Sequence, residues 1–163
     1  MKKALLGKIL IIALIIFIGY GAYQKISADN KYVRLMGTKL PDSSETIEVN
    51  DSHGGFHGDG TYFEIIQINS SEIASFGEEL RKSGLWEELP LGGELQKFIY
   101  GEHTPEYSYG GHGEMMPKDI SGIYRFNDKS VDPRPLFERY SQNFMFCMFD
   151  TNTGKLYILE FNS

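Results

Sequence analysis

Cysteine is almost missing from this sequence, which has Cys147 and no other. A lone cysteine excludes an intrachain disulfide framework and any zinc site built on paired thiolates, so stability has to come from packing. Basic residues are scarce beyond the amino terminus. The 163 residues carry a net charge of -6, and setting aside Lys2, Lys3 and Lys8 leaves 13 basic against 22 acidic residues, a charge of -9. A body that acidic repels phosphate backbones, which are bound by clustered Lys and Arg, so nucleic acid is excluded as a partner. The chain also lacks a Gly-x-Ser-x-Gly elbow, a Ser-x-x-Lys pair and a phosphate-cradling glycine loop ending in Lys-Ser/Thr. No internal repeat and no low-complexity tract is found. With 41% hydrophobic and 13% aromatic content, the chain has enough apolar mass for one compact core.

A long apolar run is present, and it opens the chain. Ala4 to Tyr23 is apolar apart from Lys8 and follows a basic start. A spanning helix uses about 20 apolar residues, and a removable signal is shorter and ends in small residues. Ile26-Ser27-Ala28 is a mediocre cleavage sequence, so residues 1-23 are expected to form a transmembrane helix, an uncleaved signal anchor, with a cleaved signal as the alternative. Tyr20 and Tyr23 suit the outer interface. The lysines then hold the amino terminus in the cytoplasm, and the rest of the chain lies outside a bacterial cell membrane.

Residues 24-44 are polar and mixed, with Pro41-Asp42-Ser43-Ser44 as a loop signal. They are expected to form a stalk with a short strand at Tyr32 to Met36. Residues 45-163 are then the extracytoplasmic domain. "TIEVN" and "TYFEIIQI" predict two strands on either side of "DSHGGFHGDG" (Asp51 to Gly60). Asn69-Ser70-Ser71-Glu72 has the form of a capping box, predicting a helix from Ser70 to Ser83 that Gly84 stops. "LWEELPL" offers Trp86, Leu89 and Leu91 for packing, and a short helix is expected at Glu94 to Tyr100. Gly101 to Asp119 is a long loop, a length that is often functional. "SGIYRF" predicts a strand, Pro133 to Tyr140 a helical turn, and "NFMFCMF" with "KLYILEFNS" a hairpin around Asp150-Thr151-Asn152-Thr153-Gly154. The order of elements predicts an α+β fold: an antiparallel sheet with one main helix packed on a face, behind the transmembrane helix.

All four histidines fall in two glycine-containing segments, His53 and His57 in the first and His103 and His112 in the second. Imidazoles and carboxylates are the usual ligands of zinc and similar ions, so His53, His57 and Asp59, with His103 or His112, could converge on a divalent cation. Gly54-Gly55 makes a helix between His53 and His57 improbable, so their spacing of four dictates no geometry. The competing reading is a turn in which glycines supply positive φ, Phe56 plugs the core, and Asp51 and Asp59 bond to turn amides. Asp150-x-Asn152-x-Gly154 starts like a calcium loop, but the glycine comes one position early and no bidentate glutamate follows, which favours a hairpin turn. Cys147 lies in an apolar strand and reads as an inert core thiol. Glu78-Glu79 and Glu87-Glu88 read as solvated faces without partners. Tyr100, Tyr107, Tyr109 and Tyr124 could form an aromatic surface for a sugar or peptide, or sit half-buried.

The "HGGFHGDG" string, with the strand and capped helix after it, "LWEELPL" and the terminal "FDTNTGKLYILEF", resembles a group of small membrane-anchored proteins of Gram-positive bacteria. The resemblance covers most of the exported part and implies a location and a single folded unit; it implies no activity and no site residues. The expected function is therefore non-enzymatic binding of a small molecule or an envelope protein. Its contact surface would be built from Asp51, His53, Phe56, His57, Asp59, His103 and His112. A metal-binding protein or metal-dependent hydrolase using His53, His57 and Asp59 is one alternative, and a structural interaction module is the other.

Overall fold

The computed structural model describes residues 16-20, 23, 27, 30-54, 58-103 and 108-163. The chain divides into two compact units, Met1-Leu40 and Pro41-Ser163. In the first, residues 30-36 are helical. Tyr32 and Met36, four apart, share a helical face, and Gly37 ends the run at φ 84° with its amide donating to the Val33 carbonyl at 2.9 Å. The short strand expected at Tyr32 to Met36 is thus a helix.

The transmembrane helix and signal anchor expected over residues 1-23 are corrected too. Among the described residues no helix is long and apolar enough to cross a membrane. Of residues 1-23, only 16-20 and 23 are among the described residues.

Among its described residues the second unit has eight strands and two α-helices. The strands are β1 (Glu45-Asp51), β2 (Gly60-Gln67), β3 (Glu87-Glu88), β4 (Glu102-His103), β5 (Ser108-Tyr109), β6 (Gly122-Asp128), β7 (Asn143-Asp150) and β8 (Lys155-Asn162). The helices are α1 (Ile73-Lys82) and α2 (Gly93-Tyr100). Six strands form one antiparallel sheet in the order β1-β2-β8-β7-β6-β3, and β4 pairs with β5 in a separate ribbon. The ribbon replaces part of the unstructured loop expected from Gly101 to Asp119.

Strand alternation divides the sheet into two apolar faces. On one face Phe63, Leu159, Phe146 and Phe126 lie in register across β2, β8, β7 and β6. There they join Phe98 and Ile99 of α2 and Met116 in the main core. On the other face Ile66, Leu156, Phe149 and Ile123 are aligned, and α1 packs there through Phe76, whose ring meets Phe149 edge-on at 5.2 Å. The expectation of one main helix on one face is corrected on this point. Phe144 to Phe149 in β7 are buried without interruption, so a single roof would leave half of them in water.

Local chemistry departs from the capping box in an instructive way. Asn69 accepts bonds from the Ser71 amide and hydroxyl, an Asx turn that delays α1 until Ile73. The Glu72 carboxylate accepts the Ser43 hydroxyl instead of reaching back to the helix start. Glu87 and Glu88 have partners after all: Tyr124 donates to Glu87 at 2.6 Å, and Arg81 of α1 pairs with Glu88 at 2.7 Å. At the other edge β1 is exposed along its whole length, and a register shift beside Ile47 breaks its ladder with β2. The turn between β7 and β8 is closed by Asp150, whose carboxylate accepts the Asn152 amide and the Thr153 hydroxyl, as the hairpin reading requires. Pro133 to Tyr140 holds a 3-10 turn at Leu136-Glu138.

Because Phe149 is wholly buried against Phe76, Phe149→Ala is expected to cost about 3-5 kcal/mol of unfolding free energy. Val131→Ala, at a fully exposed position, is expected to stay within about 0.5 kcal/mol. Urea denaturation of both variants measures the contrast.

Candidate functional site

The neck of the glycine-rich segment is a closed structure. Ser52 donates its amide to the Thr61 carbonyl at 2.9 Å, and its hydroxyl accepts the Thr61 amide at 2.9 Å. One oxygen of Asp51 accepts the His53 amide at 3.0 Å and lies 2.8 Å from His53 Nδ1. Gly60 is required where the chain returns, since a Cβ there would lie 2.6 Å from the His53 Cα. Asn162 ties the neck to β8 through the Gly58 carbonyl. Phe56, the expected core plug, and His57, one of the three candidate metal ligands, lie outside the described residues.

The second histidine segment is seated on the end of α2. Helices leave their last carbonyls without intrahelical partners. Here the Lys97, Phe98 and Ile99 carbonyls accept amides from Gly101, Gly111 and Gly113 at 2.8, 3.1 and 2.7 Å. The loop has to approach so closely that a Cβ on Gly110, at φ 75°, would stand 2.3 Å from the Lys97 oxygen. "GGHG" is therefore a docking sequence, and what it docks is His112. The imidazole centroid lies 4.8 Å from Phe98, 4.8 Å from Phe161 and 6.0 Å from Phe144. Burial among these rings pushes the His112 pKa down and favours the neutral form.

These two segments meet in a cleft of about 380 Å³. Asn50, Ser52 and Thr61 line it from the hairpin, and Gly111, His112, Glu114 and Met115 from the loop, with Phe63 and Phe161 beneath. The register explains the gathering: Asn50 faces Phe63, and Thr61 faces Phe161, on one side of the sheet. Asp51 pairs with Tyr62 on the alternate side, so the Asp51-His53 pair is not part of the lining. Asp59 is exposed, and His103 lies in β4 with its side chain outside the described part. Among the described residues no three His, Cys, Asp or Glu side chains are grouped to hold a metal ion. Cleft residues beyond His112 escaped the sequence reading, although the period-two pattern of "GTYFEIIQ" puts Thr61 and Phe63 on one face.

Cys147 is fully buried, and burial pushes its thiol up to about 12, which keeps it protonated. Tyr100 and Tyr124, considered for an aromatic surface, use their hydroxyls internally. Tyr100 donates to the Pro117 carbonyl at 2.5 Å and Tyr124 to Glu87. Burial pushes both up to about 12. No protein-family model, no curated protein and no solved structure matches the chain.

The His112 environment has a sign that can be measured. Its folded pKa lies below the unfolded value near 6.5, so the unfolded chain binds this proton first and stability falls as pH drops through about 6.5. His112→Phe is expected to shallow the loss of thermal stability between about pH 7 and pH 5 relative to the parent chain, read from melting temperatures across that range. Gly110→Ala is expected to destabilise the chain by more than about 1 kcal/mol, because it adds both a left-handed penalty and a clash.

Proposed function

We propose that Pro41-Ser163 is a ligand-binding domain rather than a catalyst, and that the cleft holding His112 takes a small uncharged molecule with hydroxyl or amide groups on an apolar frame. The observation carrying this reading is the convergence of the facing ends of β1 and β2 and of the His112 loop on one cleft of suitable size. The Phe161 and His112 rings offer an apolar platform. Asn50 supplies a donor and an acceptor, neutral imidazole supplies one of each, and Glu114 accepts. Residues 41-163 hold nine basic and 21 acidic side chains, a field that disfavours anions at this site. Nucleophilic catalysis has less support, since the Ser52 hydroxyl is engaged by the Thr61 backbone and makes no bond to His53.

The test is a panel of neutral mono- and disaccharides and N-acetyl amino-acid amides, titrated into the full chain and followed by amide NMR. Shifts are expected at Asn50, Ser52, Thr61, Gly111 and His112, with Asn50→Ala weakening binding by about tenfold. Shifts confined to other regions, or unchanged affinity in both Asn50→Ala and His112→Ala, would exclude the cleft.

A second reading, metal binding or metal-dependent hydrolysis at His53, His57 and Asp59, is favoured by one contact. A carboxylate on Nδ1, as Asp51 provides for His53, is the arrangement that orients a metal-binding imidazole through its other nitrogen. Calorimetric titration with Zn²⁺ distinguishes it: stoichiometric binding that disappears in His53→Ala supports this reading, and no heat eliminates it.

A further inference from the structure

A second cavity, of about 350 Å³, opens between α2 and the β3-β6 edge of the sheet, away from the residues that line the His112 cleft. Its apolar wall is Leu91, Ile120 and Met148, and its polar wall includes Gln96 and Lys118. The Lys118 ammonium stands 5.5 Å from the centre of the Tyr100 ring, an arrangement that holds a cation without neutralising it. The Tyr100 hydroxyl in turn bonds the carbonyl of Pro117, which fixes the backbone just before Lys118.

Charge around this cavity is distributed unevenly. Glu88 also lines it, but its carboxylate is matched by Arg81 at 2.7 Å. Lys97 nearby is paired with Glu102 at 2.9 Å. Asp119 lines the neighbouring groove and not this cavity. Lys118 has no carboxylate within ion-pair distance among the described residues, and its ammonium sits at the edge of an apolar pocket in a domain of strongly negative charge.

We propose that this cavity is a binding site for small carboxylates with a short apolar tail. The tail lies against Leu91, Ile120 and Met148, and the carboxylate accepts hydrogen bonds from Lys118 and the Gln96 amide. A free branched-chain acid and the carboxyl terminus of a peptide ending in an apolar residue present the same chemistry.

The experiment titrates the full chain, carrying ¹³C-methyl methionine, with 4-methylpentanoate and with N-acetyl-glycyl-leucine. A saturable shift of the Met148 methyl is expected with at least one of them, and the tighter of the two identifies the source. The neutral 4-methylpentanamide and the cationic 4-methylpentylamine are expected to bind at least about tenfold more weakly, and Lys118→Gln to lose a similar factor for the acids. Lys118 is exposed, so this variant keeps the fold. No saturable Met148 shift up to about 10 mM, equal binding of acid and amide, or undiminished binding in Lys118→Gln would overturn the proposal. The Met148 reporter and Lys118 lie outside the His112 cleft, so the outcome is independent of the neutral-ligand reading.

Discussion

Strand β7 carries Phe144, Met145, Phe146, Cys147, Met148 and Phe149 in succession, and each is withdrawn from water. At about 25 cal/mol per Å² of apolar surface, exposing either side of that strand would cost several kcal/mol, comparable with the whole stability of a small domain. The two-sided burial therefore governs the architecture. It calls for β6 and β8 as neighbours, and for α1 and α2 on opposite faces. α2 meets its face through Phe98, and that position decides where the loop after it can land.

The landing is a matter of unsatisfied carbonyls. The end of α2 offers Lys97, Phe98 and Ile99 oxygens, and only a loop without side chains at the contact can approach them all. Glycine at 110 and 113 meets that need, and His112 between them enters the aromatic cluster. The same logic closes the hairpin, where Gly60 lets the chain pass His53 and Ser52 locks the neck. Two segments far apart in sequence are thereby set against one surface. The cleft is a product of backbone hydrogen bonding and of the alternation that turns Asn50, Thr61, Phe63 and Phe161 to the same side.

Much of this was written in local pattern. The strand runs, the hairpin around Gly154 and a helix ending near Gly84 follow from period and turn chemistry alone. What was hidden were contacts whose partners lie far along the chain. Asn69 and Glu72 spell a capping box, yet Ser43 takes the Glu72 carboxylate. Glu87 and Glu88 look solvated until Tyr124 and Arg81 arrive from other elements. β3, two residues long, is too short to leave a periodic signal and exists through pairing with Ile123 and Tyr124. For the site, His112 was visible as a residue in a glycine loop, but Asn50, Thr61 and Phe161 became its neighbours only through sheet register. The residues 1-23 show the opposite failure. Hydropathy alone predicted a membrane-crossing helix there, and among the described residues none has the length and apolarity for it.

The exposed strand β1 has a consequence for how copies of this chain meet. Its outer amides and carbonyls are an open template of the kind that invites sheet-to-sheet growth. Glu45, Glu48 and Asp51 line that rim with no basic residue among them, and the shift at Ile47 spoils its regular pleat. Two such rims brought together would oppose carboxylate to carboxylate across a mismatched ladder, and both features work against edge-to-edge pairing of this strand.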